Sequence, residues 1–200
     1  MQITALTFDD FETLDLFGAV EVFGRVTDYD IQYASMTGGI ISNQHGVRIE
    51  TIAIADLPKN TDILLVIGGQ GTRRLVDDTK FLQTLTNLAN QATWVLSVCT
   101  GSALLAKTGL LDGKRATSNK KSWKWVISQS DKVQWIEQAR WVVDEKFYTS
   151  SGISAGTDMS LGFIADRYDT ETAQTIANEI EYRWAKNPDN DEFFLLWQHS

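Results

Sequence analysis

Residues 94–107 read W-V-L-S-V-C-T-G-S-A-L-L-A-K, and this stretch decides the fold. It opens with an apolar run from Trp94 to Val98 that predicts a strand, and it closes with a helical run from Ser102 to Lys107. Cys99 lies between the two runs, on a turn that Gly101 allows because glycine relieves the crowding of the backbone. The stretch therefore predicts a strand, a sharp turn that carries a cysteine, and a helix.

The predicted turn places Cys99 where the nucleophile elbow of hydrolases presents its reactive side chain above a sheet. A thiol at a helix start lies near the positive end of the helix dipole and near free backbone N–H groups, which favour the thiolate. We therefore expect the pKa of Cys99 to lie below the ordinary thiol value of about 8.5. The alternative is a buried, inert core cysteine, which a single cysteine usually is. The agreement of strand, glycine and helix start favours the functional interpretation.

Strands and helices alternate along the rest of the chain. The clearest strand runs from Asp62 to Ile67 and is a continuous apolar run, typical of a parallel strand buried on both faces; the glycine turn G-G-Q-G follows it at 68–71. The other predicted strands are 2–8, 31–36, 47–54 (a strand or a hairpin arm), short pieces within 115–141, and 147–150. The predicted helices are 14–24, 80–90, 102–107, 122–129, 154–165 and 170–184, with Pro188 after the last.

These repeated strand–helix units predict an α/β fold in which residues 1–200 form a single domain. We expect a three-layer sandwich, with a mostly parallel central sheet covered by helices on both faces. Sites in such sheets form at the carboxyl ends of the strands. The glycine turn at 68–71 and the cysteine turn at 99–101 both fall at such ends.

Composition and charge argue against several classes of function. The net charge of -8 argues against general nucleic-acid binding, which requires a basic surface. One cysteine and two widely separated histidines, His45 and His199, provide no disulfide and no zinc site. The chain has no signal-like start and no run of about 18 apolar residues. We therefore expect a cytoplasmic protein with no membrane partner, no metal and no cofactor.

The string S-V-C-T-G-S-A-L-L-A-K-T-G-L-L-D-G-K-R-A-T at 97–117 resembles the ThiJ/PfpI superfamily and, within it, the branch that contains isocyanide hydratase. Three further motifs resemble the same branch: L-D-L-F-G-A-V-E-V-F-G at 14–24, V-I-G-G-Q-G at 66–71 and S-G-I-S-A-G-T-D at 151–158. The resemblance covers most of the chain. It implies a glutamine-amidotransferase-like fold, a small-molecule substrate and a homodimer.

The resemblance also implies roles for individual residues. Cys99 is the expected nucleophile, and Asp15 is the expected general acid and base, since a carboxyl group can donate a proton and accept one back. Thr100 follows the cysteine, and the backbone N–H groups of Thr100 and Gly69 are expected to bind a developing negative charge. The candidates to line the pocket are Gly68, Asn119, Ile153 and Ser154. Without the resemblance, Asp15 is better explained as an acidic residue that favours the helix dipole.

The implied reaction is attack of Cys99 on a small electrophile, with hydration of an isocyanide to an N-formamide as one version. Two further functions stay open: a redox or small-molecule sensor that uses oxidation of Cys99, and detoxification of a glyoxal or aldehyde. Peptidase activity is not expected, because protease-like relatives have a histidine where this chain has Thr100. Amidotransferase activity is not expected either, because the late His-x-Glu pair is replaced by E-I-E-Y-R-W at 179–184.

Two local features complicate the assignment. The string G-I-S-A-G at 152–156 matches a serine-hydrolase elbow, but its base would have to be His45 or His199. We expect Ser154 to cap its helix instead, with close-packed glycines around it, and His45 to occupy a surface turn. In addition, Asn119 stands where the hydratase branch has a histidine, so we expect a different pocket.

Overall fold

The central strands are built from residues that a protein can bury on both faces. In the computed structural model, which describes residues 1–58 and 61–197, every residue of the strand Ile63–Val66 is buried. The neighbouring strand Trp94–Ser97 is buried from Val95 onward. Strands buried on both faces need a helix layer above and below the sheet, and this requirement sets the architecture.

The strands and helices that the sequence predicts with bounds agree with the observed ones to within two residues, apart from the last helix, whereas β3 and α2 are not predicted. The strands are β1 (Gln2–Leu6), β2 (Asp30–Ser35), β3 (Gly39–Ser42), β4 (Arg48–Ala53), β5 (Ile63–Val66), β6 (Trp94–Ser97), β7 (Arg115–Ala116), β8 (Gln134–Trp135), β9 (Trp141–Asp144) and β10 (Phe147–Ser150). The helices are α1 (Thr13–Phe23), α2 (Thr72–Leu75), α3 (Thr79–Gln91), α4 (Gly101–Lys107), α5 (Trp123–Ile127), α6 (Ala155–Arg167) and α7 (Thr170–Glu179), with 3₁₀ turns at Ile54–Asp56 and Glu192–Trp197.

One large sheet has the strand order β3-β4-β2-β1-β5-β6-β10-β9. The strands from β4 to β10 in this order are parallel to their neighbours, whereas β3 and β9 are antiparallel edge strands. β7 and β8 pair with each other outside this sheet. From β1 the chain first builds one side of the sheet, from β2 to β4, and it then crosses to the other side of β1 to form β5 and β6. The carboxyl ends of β1, β5 and β6 therefore lie at the switch point where doubly wound sheets bind ligands.

The helices pack in two groups that flank the sheet. α6 packs against α1 and α7, and α4 packs against α2, α3 and α5. The predicted single-domain α/β sandwich with a mostly parallel sheet is thus confirmed. Within the described ranges, no helix is long and apolar enough to cross a membrane.

The predicted final helix is too long. α7 ends at Glu179 and does not reach Trp184, because Glu181 adopts a φ of 52°, in the left-handed region that no right-handed helix contains. The Trp184 indole N–H instead donates to the carbonyl of Asp158 on α6, at 3.2 Å. Contact with α6 therefore turns the chain back where the sequence pattern predicts further helix.

The sequence pattern also misses an edge strand. It predicts only a turn at 38–39, whereas β3 begins at Gly39 and pairs antiparallel with β4. Only Ile41 in β3 is buried, so the strand carries little hydrophobic pattern. Its partner β4 is accordingly a hairpin arm, one of the two forms predicted for residues 47–54.

A buried network of charges joins the last part of the described chain to α6. Arg140, just before β9, donates through Nε to Asp158 on α6 at 2.6 Å and through Nη1 to Asp191 at 3.3 Å. Asp158 also accepts the Ala185 N–H at 2.9 Å. The three charged side chains are buried, and an unpaired buried charge costs several kcal/mol. The network is therefore stable only while all its members are present.

Asp158→Ala is expected to lower the free energy of unfolding by about 3–5 kcal/mol, because it leaves the Arg140 guanidinium buried without its main partner. Urea denaturation measures the loss. The control is Glu21→Ala, which breaks an exposed ion pair with Arg25 and should leave the urea midpoint unchanged. Equal midpoints for the two variants would contradict this prediction.

Candidate active site

The turn between β6 and α4 is strained at Cys99. This residue has a φ of 55°, in the left-handed region that residues with a Cβ rarely adopt. Its N–H donates to the Ser151 carbonyl at 3.0 Å, and its carbonyl accepts the hydroxyls of Ser102 at 3.1 Å and Ser118 at 2.8 Å. Hydrogen bonds from three separate parts of the chain therefore hold the cysteine in this conformation.

Two glycines allow the surrounding elements to meet at this turn. A Cβ on Gly101 would lie 2.4 Å from the Val66 carbonyl oxygen, so no larger residue fits at the start of α4. A Cβ on Gly68 would lie 2.6 Å from Thr100 N and 2.8 Å from Asp15 Oδ2. The predicted pocket residue Gly68 is thus buried where β5, the elbow and α1 converge, and it brings Asp15 next to the elbow.

Asp15, the predicted acid, is fully buried in the first turn of α1. Its Oδ2 accepts the Gly68 N–H at 3.0 Å, whereas its buried Oδ1 has no hydrogen-bond partner in the described part of the chain. Burial raises the pKa of this carboxyl well above its ordinary value, and the charge of Glu12 adds to the rise. A favourable interaction with the dipole of α1 does not by itself explain why this carboxyl is buried. A buried carboxyl with one free oxygen and a raised pKa is suited to hold and transfer a proton.

The expectation of a low thiol pKa is wrong. Burial raises the pKa of the Cys99 thiol well above its ordinary value, and the charge of Asp15 raises it further. The backbone N–H groups of Thr100 and Ile153 donate to the sulfur and lower the pKa, but burial outweighs them. The cysteine is only 6% exposed. Burial at this turn therefore outweighs the effect of the helix start on the thiol pKa.

Thr100 connects the elbow to the glycine turn after β5. Its Oγ1 accepts the Gly69 N–H at 3.0 Å and lies 3.2 Å from Thr72 Oγ1. The Gly69 N–H is therefore directed at a hydroxyl and not at the sulfur. Its use as an anion donor stays a prediction, whereas the N–H groups of Thr100 and Ile153 already face the sulfur.

A cavity of about 220 Å³ opens beside the elbow. Its lining comprises Asn119, Lys120, Lys121, Ser151, Gly152, Ile153, Ser154, Asp191, Phe193 and Trp197. Ser151 and Ile153 connect this cavity to the elbow, because both form hydrogen bonds with Cys99. The predicted pocket residues Asn119 and Ser154 thus share one cavity with Ile153, next to the cysteine.

Asn119 joins two loops of the cavity wall. Its Oδ1 accepts the Ser122 N–H at 2.9 Å, immediately before α5. Its Nδ2 lies 2.5 Å from the position that a Cβ on Gly152 would occupy, in the loop before α6. The asparagine therefore packs against a glycine that leaves room for it.

Ser154 does not cap α6 as expected. Its side chain makes no capping hydrogen bond, and its hydroxyl instead accepts from Arg140 Nη2 at 3.4 Å. The glycine packing is as expected, since a Cβ on Gly156 would lie 2.6 Å from Val98 Cγ1. This geometry favours a structural interpretation of the serine-elbow string.

His45 supplies no base for Ser154. His45 lies in an exposed turn between β3 and β4, as expected, with Nδ1 2.8 Å from Thr13 Oγ1. His199 lies outside the described residues. Across the described ranges, no three His, Cys, Asp or Glu side chains are grouped so that they could hold a metal ion.

Sequence reasoning missed Arg73 on α2. Its guanidinium lies 3.4 Å from the centroid of the Trp125 ring and donates to Ser122 Oγ at 3.0 Å. It also donates to Thr72 Oγ1 at 3.1 Å, one hydroxyl away from Thr100. The string T-R-R-L at 72–75 does not distinguish Arg73 from its neighbour Arg74. In the structure, Arg74 is exposed and pairs with Asp10.

This arrangement defines an α/β protein with a strained cysteine elbow and a buried carboxyl at the carboxyl edge of its sheet. Comparison with known sequences makes the assignment specific. The DJ-1/PfpI family profile matches residues 1–166, and the chain belongs to that family. The resemblance drawn from the motifs around Asp15, Gly68 and Cys99 is therefore confirmed at the level of the family.

The relatives include an enzyme and a regulator. Isonitrile hydratase of Pseudomonas putida is 31% identical over 191 residues, which cover 91% of this chain and 78% of that protein. The HTH-type transcriptional regulator GbdR of Pseudomonas aeruginosa is 28% identical, over 91% of this chain and 51% of the regulator. The solved structure of a ThiJ/PfpI family protein from Pseudomonas syringae superposes with a TM-score of 0.81 at 27% identity, covering 90% of this chain and 74% of that one.

Iodoacetamide labelling of Cys99 as a function of pH tests the electrostatics of the elbow. The chain has one cysteine, so the reaction reports on this thiol alone. Since burial and Asp15 raise the thiol pKa, the labelling midpoint is expected above about 8.5, the ordinary value. Asp15→Asn removes a negative charge that disfavours the thiolate, so its midpoint should fall to lower pH.

The control for this titration is Asp77→Asn, which removes an exposed carboxylate and should leave the midpoint unchanged. A wild-type midpoint at or below about 8.5, or the same midpoint with and without the Asp15 charge, would show that the elbow is solvated and that Asp15 does not act on the thiol.

Proposed function

We propose that the protein is a cysteine-dependent hydro-lyase that adds water to an isocyanide and produces an N-formamide. The observation that carries this proposal is the buried Asp15 carboxyl, which interacts with the side chain of the strained Cys99 and whose Oδ1 has no hydrogen-bond partner of its own in the described structure. A buried polar atom without a partner costs about 1–3 kcal/mol and calls for a functional explanation. Similarity to isonitrile hydratase supports the same reaction.

In the first step, the Cys99 sulfur forms a bond to the terminal carbon of the isocyanide. The thiol proton passes to the Asp15 carboxyl and from there to the same carbon. The product is a thioimidate, in which the former isocyanide carbon is bonded to sulfur, hydrogen and nitrogen. The raised pKa of Asp15 allows its carboxyl to carry the proton without an external acid.

In the second step, water adds to the thioimidate carbon, and Asp15 takes a proton from the water and passes it to the nitrogen. The C–S bond then breaks as the carbonyl forms, and the hydroxyl proton returns to the pair of Cys99 and Asp15. The N-formamide leaves. The N–H groups of Thr100 and Ile153 stabilise the negative charge on sulfur during attack and departure.

The same electrostatics weigh against a redox sensor. Peroxide oxidises the thiolate form of cysteine, whereas burial and Asp15 keep Cys99 protonated to higher pH than usual. Product analysis distinguishes the hydratase from a small-molecule sensor and from an aldehyde-detoxifying enzyme. A covalent adduct that never turns over would select the sensor, and turnover of glyoxal without turnover of isocyanide would select aldehyde chemistry.

Substitutions at the two elbow-like strings test the assignment of the nucleophile. Cys99→Ser is expected to abolish formation of N-formamide from an alkyl isocyanide, followed by NMR. Asp15→Asn should lower kcat by roughly 10²- to 10⁴-fold, the usual contribution of general acid–base catalysis. Ser154→Ala is the control and should retain kcat, because its hydroxyl only accepts a long hydrogen bond from Arg140.

The variants are compared at a temperature at which urea denaturation shows all of them folded. If Ser154→Ala inactivates a folded protein while Cys99→Ser remains active, the nucleophile is the serine. If Asp15→Asn retains full kcat, the carboxyl has no part in the proton transfers.

We also propose that the protein is a homodimer. Apolar side chains are exposed in the 3₁₀ turn Glu192–Trp197, where Phe193, Leu195 and Leu196 are 51%, 67% and 70% exposed, and such a patch suits a subunit contact. Light scattering at micromolar concentration should give twice the chain mass of 22.4 kDa. A mass equal to that of one chain would refute the proposal.

A further inference from the structure

Arg73 is a cation that no anionic side chain opposes among the described residues. It is half-buried, and no carboxylate in the described part of the chain lies within ion-pair distance of its guanidinium. Its neighbour Arg74, by contrast, pairs with Asp10 at 2.8 Å. Cationic side chains that are partly withdrawn from water are usually paired. Residues 1–58 and 61–197 supply no such partner for Arg73, so a bound anion is the candidate.

The surroundings of Arg73 fix its guanidinium while leaving donors free. The group lies 3.4 Å from the Trp125 ring centroid, as in a cation–π contact. Nη1 donates one hydrogen to Thr72 and Nη2 donates one to Ser122. An arginine carries five N–H donors, so Nε–H and one hydrogen on each Nη remain available. This is the fork that binds a carboxylate through two parallel hydrogen bonds.

Hydrogen bonds place this fork between the elbow and the cavity. Toward the elbow, the Thr72 hydroxyl that accepts from Arg73 lies 3.2 Å from Thr100 Oγ1, and Thr100 directly follows Cys99. Toward the cavity, the Ser122 residue that accepts from Arg73 donates its N–H to Asn119, which lines the cavity wall. Burial lowers the pKa of the Arg73 guanidinium, and a thiolate at Cys99 would act in the opposite direction.

The charge around the cavity is opposite to that of the whole protein. The chain has a net charge of -8, yet this side of the elbow carries Arg73, Lys120 and Lys121. Lys120 is opposed by Asp191, 3.9 Å away, so that Arg73 and the exposed Lys121 supply the uncompensated positive charge. Such a local field attracts a small anion and repels a cation.

We propose that Arg73 binds the carboxylate of the substrate, and that the substrate class is therefore small isocyanides that carry a carboxylate. The carboxylate occupies the free side of the guanidinium on Trp125, and the isocyanide carbon points to Cys99. This inference rests on the proposed hydration reaction for the identity of the reacting group. The recognition of a carboxylate rests on Arg73 alone.

The first test compares hydration of isocyanoacetate with that of its methyl ester, which removes the charge and keeps the reacting group. Wild-type protein should have the higher kcat/KM for isocyanoacetate. Arg73→Gln should raise KM for isocyanoacetate roughly 10- to 100-fold, the effect of losing a charged hydrogen-bond pair, and should leave kinetics with the ester unchanged. Arg73→Lys, which keeps the charge but loses the fork, should lie between these values.

The matched control is Arg74→Gln, which removes the neighbouring exposed arginine and should change neither substrate. A merely structural role of Arg73 would lower turnover of both substrates alike, and that outcome overturns the proposal. Equal kcat/KM of the wild-type protein for the acid and the ester overturns it as well.

A second measurement separates this inference from the proposed function. Calorimetric titration of the Cys99→Ser variant with N-formylglycine, the expected product, and with its methyl ester requires no turnover. Tight binding of the acid alone, lost in the double variant with Arg73→Gln, supports the carboxylate site even if no isocyanide is hydrated. Turnover of the ester, together with binding that ignores the carboxylate, supports the reaction and overturns the role of Arg73.

Discussion

At Cys99 the backbone occupies the left-handed region, at a cost of about 1–2 kcal/mol for a residue with a side chain. Hydrogen bonds to Ser102, Ser118 and Ser151 hold it there, and these serines come from α4, from the segment after β7 and from the residue that follows β10. The turn therefore forms only when the sheet is complete. Because the turn is fixed, the sulfur lies above the carboxyl edge of the sheet with Asp15 packed behind Gly68.

Burial then decides how the nucleophile behaves. Cys99 and Asp15 are both acids that burial makes weaker, and each charge disfavours the other. Such a pair resists the loss of its last proton, so a proton is available within the pair when an electrophile arrives. A substrate whose carbon accepts both sulfur and hydrogen, as an isocyanide does, suits this pair better than an oxidant, which needs a thiolate.

The sequence predicts those features that depend on neighbouring residues. The elbow can be predicted from local pattern, because the strand, Gly101 and the helix start are all adjacent to Cys99. The position of Asp15 follows only from the family resemblance, because α1 and β6 are distant in sequence. The thiol pKa is not predicted correctly because burial is a property of the folded chain. Likewise, contacts of Trp184 with α6 end α7 early, and nothing in the string R-R distinguishes Arg73 from Arg74.

The charges around the elbow also favour one orientation of a charged substrate in the site. On the α1 side, Asp15 and Glu12 disfavour an approaching anion, and both raise the pKa of Cys99. On the side of α2 and the cavity, the Arg73 guanidinium lies against Trp125 and has no carboxylate partner within the described ranges. A substrate with one carboxylate and one uncharged electrophilic end gains most free energy when the carboxylate lies away from α1. That orientation leaves the uncharged end beside the sulfur and the free oxygen of Asp15, where the proposed reaction needs it.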